Sequence, residues 1–313
     1  MTIGTADRRP SGSALVPLLS SPLGSVCYAL RTGRGVFLFD AGHPRAAEQT
    51  VALLRTEGLL DDLRAIVLTH AHADHVGAAG LLQRLTGAEV WAGPRQADGR
   101  LAEQERRLGL VPDPYRVTRT LADRERIDLG GETIEVLLTP GHADDHAALF
   151  LRQERTLVAG DLFTFGDVGT FDITHHHTRS LALMIESVRR CADLGADRVA
   201  PGHGPVQRRP QRLLQAAEHR LRFFRERPLL LAAHTLMPLM LLLIESRSGA
   251  LMAELREQAL RHARCFDEFL AGLDGAGIAH EFEKILMILA LKGLVSVVDG
   301  RVYYRSDSLA AAA

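Results

Sequence analysis

Cysteine is scarce in this chain and poorly placed for chemistry. Cys27, Cys191 and Cys265 are three, an odd number, widely spaced and without a Cys-x-x-Cys pair. That excludes a disulfide framework and a thiolate metal site, and leaves packed, reduced thiols suited to a reducing compartment. Lysine is scarcer: only Lys284 and Lys292 among 37 basic residues, the other 35 being arginine. With the many alanines and leucines, this reads as the coding bias of a GC-rich bacterial genome and not as function. An excess of one charge is also missing. At a formal net charge of −1, no strong pull towards nucleic acid or an anionic membrane is expected. No serine stands in a Gly-x-Ser-x-Gly elbow and no cysteine lies beside a plausible base, so a side-chain nucleophile is not expected. The greasiest run, Leu236 to Ile244, is too short and too near His234, Glu245 and Arg247 for a membrane span. The N-terminal Asp7-Arg8-Arg9-Pro10 accompanies no sustained apolar segment, so no secretory leader is expected and a cytoplasmic location is. The 313 residues allow one large domain plus a smaller one, and 46% hydrophobic content is enough for a proper core.

Against these absences stands His70-Ala71-His72-Ala73-Asp74-His75, directly after the apolar run Ala65-Ile66-Val67-Leu68. Three imidazoles and a carboxylate so close together would each need a partner if buried. A divalent metal satisfies all of them, and nitrogen with carboxylate oxygen is a donor set for zinc or iron. A helical pattern from Val76 to Leu85 follows, which predicts a tight ligand-bearing turn between rigid supports. The setting recurs downstream. A strand Thr133–Leu138 runs into Thr139-Pro140-Gly141-His142. A second, Thr156–Ala159, ends in Gly160-Asp161, and a third, Asp197–Ala200, ends in Pro201-Gly202-His203-Gly204. Each delivers His or Asp beside glycine, where the backbone must turn sharply at a sheet edge.

The set His70, His72, Asp74, His75, His142, Asp161 and His203 resembles the complete metal signature of the metallo-β-lactamase-fold hydrolases. The resemblance covers roughly residues 13 to 207 and includes Asp40-Ala41-Gly42 after the strand Val36–Phe39. It implies an α/β fold, a four-layer αββα sandwich with the site at one sheet edge. It further implies one metal on His70, His72 and His142, a second on Asp74, His75 and His203, Asp161 bridging, and Asp40 propping the metal turn. Zinc is the first choice of ion, with iron and manganese as alternatives. Antibiotic-hydrolysing relatives usually lack the bridging Asp, so β-lactamase activity is not expected. The seven-donor set also fits two metals better than the mononuclear iron oxygenases of this fold.

Two segments depart from the common pattern. Ala143-Asp144-Asp145-His146 resembles the branch containing lactamase-like endoribonucleases and quinolone-response thioesterases; hydroxyacylglutathione hydrolases more often carry a small residue before the second His. His146 is therefore either a support behind the ligands or a buried hydrogen-bonding residue. Phe163 to Phe171, leading to His175-His176-His177, must pass near the site. Adjacent histidines cannot all face one ion, so a substrate-facing loop capping a helix from about Thr178 is the expectation.

After Pro205 the character changes. Gln211–Arg227 reads as an arginine-rich amphipathic helix, and Leu229–Ile244 is apolar on every side, fit for a core, a partner or a greasy pocket. The end resembles a winged helix: helical patterns over Ala253–Leu270 and His280–Leu291, then a hairpin, Val295–Tyr304, with an Asp-Gly turn. The division expected is 13–207 for the catalytic domain and 208–313 for a C-terminal helical, winged-helix-like cap. Lactamase-like endoribonucleases carry a similar end, but its second helix is nearly neutral, and reading nucleic acid needs clustered Arg or Lys.

The function expected is a dinuclear hydrolase. Two cations lower the pKa of a shared water to about 7, and the hydroxide attacks a carbonyl or phosphoryl centre. Asp74 would ligate through one oxygen and handle the proton with the other. Thioesters of apolar or carrier-bound acyl groups lead, with acyl lactones close behind. A metal-dependent endoribonuclease or phosphodiesterase is the alternative, and a non-catalytic binder a third. The partners expected are a small-molecule or carrier-bound acyl substrate and no membrane, with no strong nucleic-acid signal and a homodimer left open.

Overall fold

The computed structural model describes residues 15–19, 25–94, 106, 109–171, 177–208, 210–227, 230–231, 234–235, 237, 240–241, 243–244, 247–263, 275–291 and 293–305. Its first sheet is built from β1 (Val16–Leu19), β2 (Val26–Thr32), β3 (Gly35–Phe39), β4 (Leu63–Val67), β5 (Glu89–Ala92) and β6 (Arg119–Thr120), in that order. β1, β2 and β3 are antiparallel, and β3 to β6 are parallel. Parallel neighbours need crossovers: α1 (Ala47–Thr56) joins β3 to β4, while α2 (Ala73–Val76) and α3 (Ala79–Thr86) join β4 to β5. The second sheet runs β11 (Asp167–Val168), β10 (Thr156–Thr164), β9 (Ala147–Leu151), β8 (Thr133–Leu138), β7 (Arg126–Asp128), with β12 (Arg198–His203) parallel to β10. Two longer helices, α4 (His177–Ala192) and α5 (Pro210–Arg225), belong to this half.

Strand side chains alternate between faces, and here both faces are apolar. Tyr28, Leu30, Phe37, Phe39, Val67 and Trp91 of the first sheet meet Ile134, Val136, Leu149 and Leu151 of the second in the central core. The opposite faces take the helices. Leu38, Ile66 and Leu68 pack with Val51, Leu54 and Leu82. Phe150, Leu157 and Val199 pack with Met184, Val188, Leu213 and Leu221. This is the αββα sandwich. Buried Cys27 and Cys191 are unbridged, and burial pushes the Cys191 thiol up to about 12; Cys265 lies outside the described residues.

Three local expectations are corrected. The single helix expected over Val76–Leu85 is two, because Gly77 packs against the chain at Gly42 to Pro44 so closely that a Cβ there would stand 2.2 Å from the His43 carbonyl carbon. The strand expected to end before Gly160-Asp161 continues to Thr164 through an irregular register at Gly160, and β12 runs through Pro201 and Gly202 to His203. The last helix begins at Gly275, ahead of His280.

At the C-terminal end lie α6 (Met252–Ala263), α7 (Gly275–Leu291) and a small sheet ordered β13 (Ala250–Leu251), β15 (Arg301–Tyr304), β14 (Val295–Val298). The expected hairpin is present, with Asp299 and Gly300 at φ 49° and 71°. Its core joins Leu255, Phe282, Ile285, Leu286 and Val302 to Met240, Leu243 and Ile244 of the apolar segment, whose Leu230 is exposed. Ala73, from the His70–His75 turn, belongs to the same cluster. Among the described residues no helix is long and apolar enough to cross a membrane.

Candidate metal centre

Asp40 organises the site from below. It follows β3 in a left-handed conformation, φ 59°, which aspartate bears better than most residues. Its carboxylate accepts the Thr69 backbone N–H at 2.7 Å, the Thr69 hydroxyl at 2.9 Å and His75 Nδ1–H at 2.8 Å. With its hydroxyl donated to Asp40, Thr69 Oγ1 accepts His70 Nδ1–H at 2.9 Å, and the Thr170 carbonyl accepts His142 Nδ1–H at 2.9 Å. Each of these three rings is thereby oriented with Nδ1 on its support and Nε2 turned to the site, the arrangement expected of supported metal ligands.

The free nitrogens converge. His70 Nε2 lies 3.0 Å from His72 Nδ1, and His142 Nε2 lies 3.1 Å and 2.8 Å from the same two atoms. Donors bonded to one zinc at its usual distances stand about 3.0–3.4 Å apart, so these three could hold an ion with little movement. A second group follows. His203 Nε2 lies 3.2 Å and His75 Nε2 3.8 Å from Asp74 Oδ2. Asp161 stands between the groups, with Oδ1 3.3 Å from His75 Nε2 and Oδ2 3.4 Å from His203 and 3.7 Å from His142. All seven donors named from the sequence meet here, as the overlapping sets His70/His72/His142, His70/His75/Asp161 and Asp74/His75/His203.

The donor chemistry fits divalent ions. His75 Nε2 and Asp161 Oδ1 are buried 3.3 Å apart without well-formed hydrogen-bond geometry. Buried polar atoms are rarely left so. Two glycines make the approach possible. A Cβ on Gly202 would stand 2.1 Å from Asp161 Oδ1, and one on Gly160 would stand 2.6 Å from His146 Nε2 and 2.7 Å from Thr69 Oγ1. Gly160 is also left-handed, at φ 49°, where β10 loses register with β12; the irregularity re-aims Asp161 into the site.

Electrostatics divides the centre in two. Burial, with the neighbouring imidazoles, holds His70 well below the usual histidine range and His72 down to about 3; burial also lowers His142. For His75 and His203 burial acts the same way but is outweighed. Asp161, Asp74 and Asp40 raise His75 well above its ordinary value, and Asp161 with Asp74 lifts His203 to about 10. Burial raises Asp74 and Asp161, yet His75 and His203 hold both below the carboxylate range. At neutral pH the metal-free protein thus has a neutral three-histidine group beside an ionised Asp–His group. Loading the second group must displace protons from His75 and His203 and should therefore release more protons than loading the first. Calorimetric metal titrations at pH 7 in buffers of different ionisation enthalpy check this, and equal release for both ions would contradict it.

His146 is buried, with Nδ1 2.8 Å from Thr139 Oγ1 and its ring centroid 5.2 Å from that of His70. It is both hydrogen-bonded and seated behind the ligands. His175 and His176 lie outside the described residues, and His177 opens α4 with its side chain undescribed. Sequence reasoning missed three contributors. His43 is buried, its Nδ1 accepts the Arg45 N–H at 3.1 Å, and it sits within electrostatic reach of Asp74 and His203. Its only signal was adjacency to Asp40-Ala41-Gly42. The Tyr28 hydroxyl donates to the Pro201 carbonyl at 2.7 Å, tying the first sheet to β12. His234 shares Nε2–H between the Val168 and Gly169 carbonyls at 3.1 and 3.2 Å, next to the Thr170 carbonyl that holds His142. Neither Tyr28 nor His234 had any local signal.

A family profile described as the metallo-beta-lactamase superfamily matches residues 20–203. The beta-lactamase-like protein 2 homolog of Caenorhabditis elegans is 30% identical over 209 residues, 65% of this chain and 64% of that protein. The atrochrysone carboxyl ACP thioesterase of Aspergillus fumigatus is 29% identical over 237 residues, 75% of this chain and 67% of that protein. The chain thus spans only about two thirds of the length of these curated relatives. Among solved structures, a metallo-beta-lactamase family protein from Thermus thermophilus superposes with a TM-score of 0.56 at 26% identity, covering 94% of this chain and 99% of that one. The protein TTHA1623, in a di-iron-bound form, gives a TM-score of 0.51 at 33% identity over 62% of this chain and 94% of that one.

Proposed function

The chain belongs to the metallo-beta-lactamase superfamily, and we propose that within it the protein is a two-metal hydrolase of thioesters bearing apolar or carrier-bound acyl groups. Members of this fold bind divalent metals, typically two. We assign one to His70, His72 and His142 and one to Asp74, His75 and His203, with Asp161 shared and zinc as the first candidate. The observation that carries the reading is Asp161, which stands between the donor groups from an irregularity in β10, its Oδ1 3.3 Å from His75 and its Oδ2 3.4 Å from His203 and 3.7 Å from His142. When bound, two such ions polarise a carbonyl oxygen and make a water acidic enough to attack near neutral pH.

The protein's own residues do the rest. Asp40 and Thr69 orient the imidazoles of His70 and His75, so the ring nitrogens are set before substrate arrives. Asp74 has a quarter of its side chain exposed, more than Asp161 or His203. Its Oδ2 faces His203 and His75, and we assign its other oxygen to hold the proton of the attacking water and return it to the leaving group. The cluster joining Ala73 to Met240, Leu243, Ile244 and Phe282 brings the apolar C-terminal core against the turn that carries Asp74. We take 208–313 as a winged-helix-like cap walling the acyl pocket of a 13–207 catalytic domain. The thioesterase among the relatives supports the choice of bond.

Metal analysis followed by a panel of thioesters, lactones and phosphodiesters tests the reading. Each buried acyl methylene is worth about 0.8 kcal/mol, or about fourfold. Rates at low substrate should therefore climb with acyl length until the pocket is full. Activity that ignores chain length, or appears only with RNA and falls steeply with salt, would overturn it.

A further inference from the structure

We infer that Phe165 is a specificity-determining residue: an aromatic platform at the open edge of the metal centre, on which the apolar acyl group of the substrate lies. This rests on the acyl-thioester reading above and says which side chain recognises the acyl group.

The starting point is a turn that holds the wrong residue for its shape. Thr164-Phe165-Gly166-Asp167 joins β10 to β11 as a two-residue hairpin, with Thr164 paired to Asp167. Both central residues are left-handed, Phe165 at φ 49° and Gly166 at φ 84°. Such turns strongly prefer Asn-Gly, Asp-Gly or Gly-Gly. The same chain obeys that preference elsewhere: the β14–β15 hairpin turns through Asp299-Gly300 at φ 49° and 71°. A bulky aromatic side chain in this conformation is an outlier of the kind that clusters at functional sites.

Burial does not explain the choice. Phe165 is 51% exposed, whereas Phe37, Phe39, Phe150, Phe163, Phe171, Phe224 and Phe282 are all buried. Placement does. The Phe165 N–H donates to the His203 carbonyl at 2.9 Å, and its ring lies 6.1 Å from the His203 ring at 36°. Asp74, His203 and His72 are the partly exposed members of the centre, so a substrate reaching the metals past His203 meets this ring. The platform is also stiff. Arg220 grips Asp167 Oδ2 through two bonds, 2.8 and 3.1 Å, and Gly204 at φ 89° lets the chain pass so close that a Cβ there would stand 3.0 Å from Phe165 Cα. An exposed aromatic held rigid beside reactive groups offers apolar contact at little ordering cost.

The test uses Phe165→Asn, which supplies the residue the turn prefers and removes the ring. Thermal midpoint, bound metal and kcat/KM for acetyl, hexanoyl and decanoyl thioesters are measured for wild type, Phe165→Asn and Phe165→Tyr. The Asn variant should melt no lower than wild type and keep its metals. Its ratio of decanoyl to acetyl kcat/KM should fall at least tenfold, mostly through KM, and Phe165→Tyr should restore it. If wild type climbs with chain length and the Asn variant climbs equally, the platform is wrong and the thioesterase reading stands. A lower melting point with equal losses on all three substrates would make Phe165 a structural residue and overturn the proposal. If wild type itself ignores chain length, the acyl reading fails and takes the platform with it.

Discussion

Asp161→Ala is expected to leave at most one tightly held metal per chain and to abolish most hydrolysis. Its two oxygens stand 3.3–3.7 Å from His75, His203 and His142, on both sides of the proposed pair. Without it, two cations would repel across the gap with no shared anion, and His75 and His203 would keep only Asp74 and Asp40 as anionic neighbours. Loss of a supporting residue around a metal ligand typically costs 10–100-fold in affinity or activity, and loss of a ligand common to both ions should exceed that. Elemental analysis of the desalted protein, beside turnover on the best substrate, checks the expectation. Two retained metals with unchanged turnover would remove Asp161 from the bridge.

For Asp74→Asn, turnover should fall about 10²- to 10⁴-fold at saturating metal, the range of a lost general acid or base. An amide preserves shape and one coordinating oxygen but cannot take up a proton at neutral pH. The loss should therefore appear in kcat more than in KM, with both metals still present when the medium is metal-replete. An unchanged kcat in a fully loaded variant would restrict Asp74 to binding. Asp74 also lies one residue from Ala73, which packs into the C-terminal core. The melting temperature of the variant separates a chemical effect from a loosened turn.

How much of this was legible beforehand depends on how local each signal is. The six residues His70 to His75 sit on consecutive positions behind an apolar strand, and His142, Asp161 and His203 each adjoin glycine near the end of another. Short-range pattern suffices there, because a buried strand must turn where polar donors appear. The layers were implied by the family resemblance that these residues carry, not by periodicity along the strands. Local pattern failed where a distant segment sets the backbone. Gly77 breaks a helix only because Gly42 to Pro44 press against it, and Gly160 bends β10 only because Thr69 and His146 occupy the space a side chain would need.

The sequence by itself determined which seven side chains offer donors, that they emerge from strands and turns, and that no serine stands in a Gly-x-Ser-x-Gly elbow. The tertiary structure alone decided how those donors divide into a neutral histidine group and an ionised Asp–His group, because burial and charge neighbours are not properties of a linear chain. It also decided that Asp40 braces His75 and, through Thr69, His70, that His43 and His234 belong to the surroundings of the site, and that Phe165 stands exposed beside His203. Each of these depends on segments tens of residues apart coming within hydrogen-bond or van der Waals distance, which periodicity along the chain cannot encode.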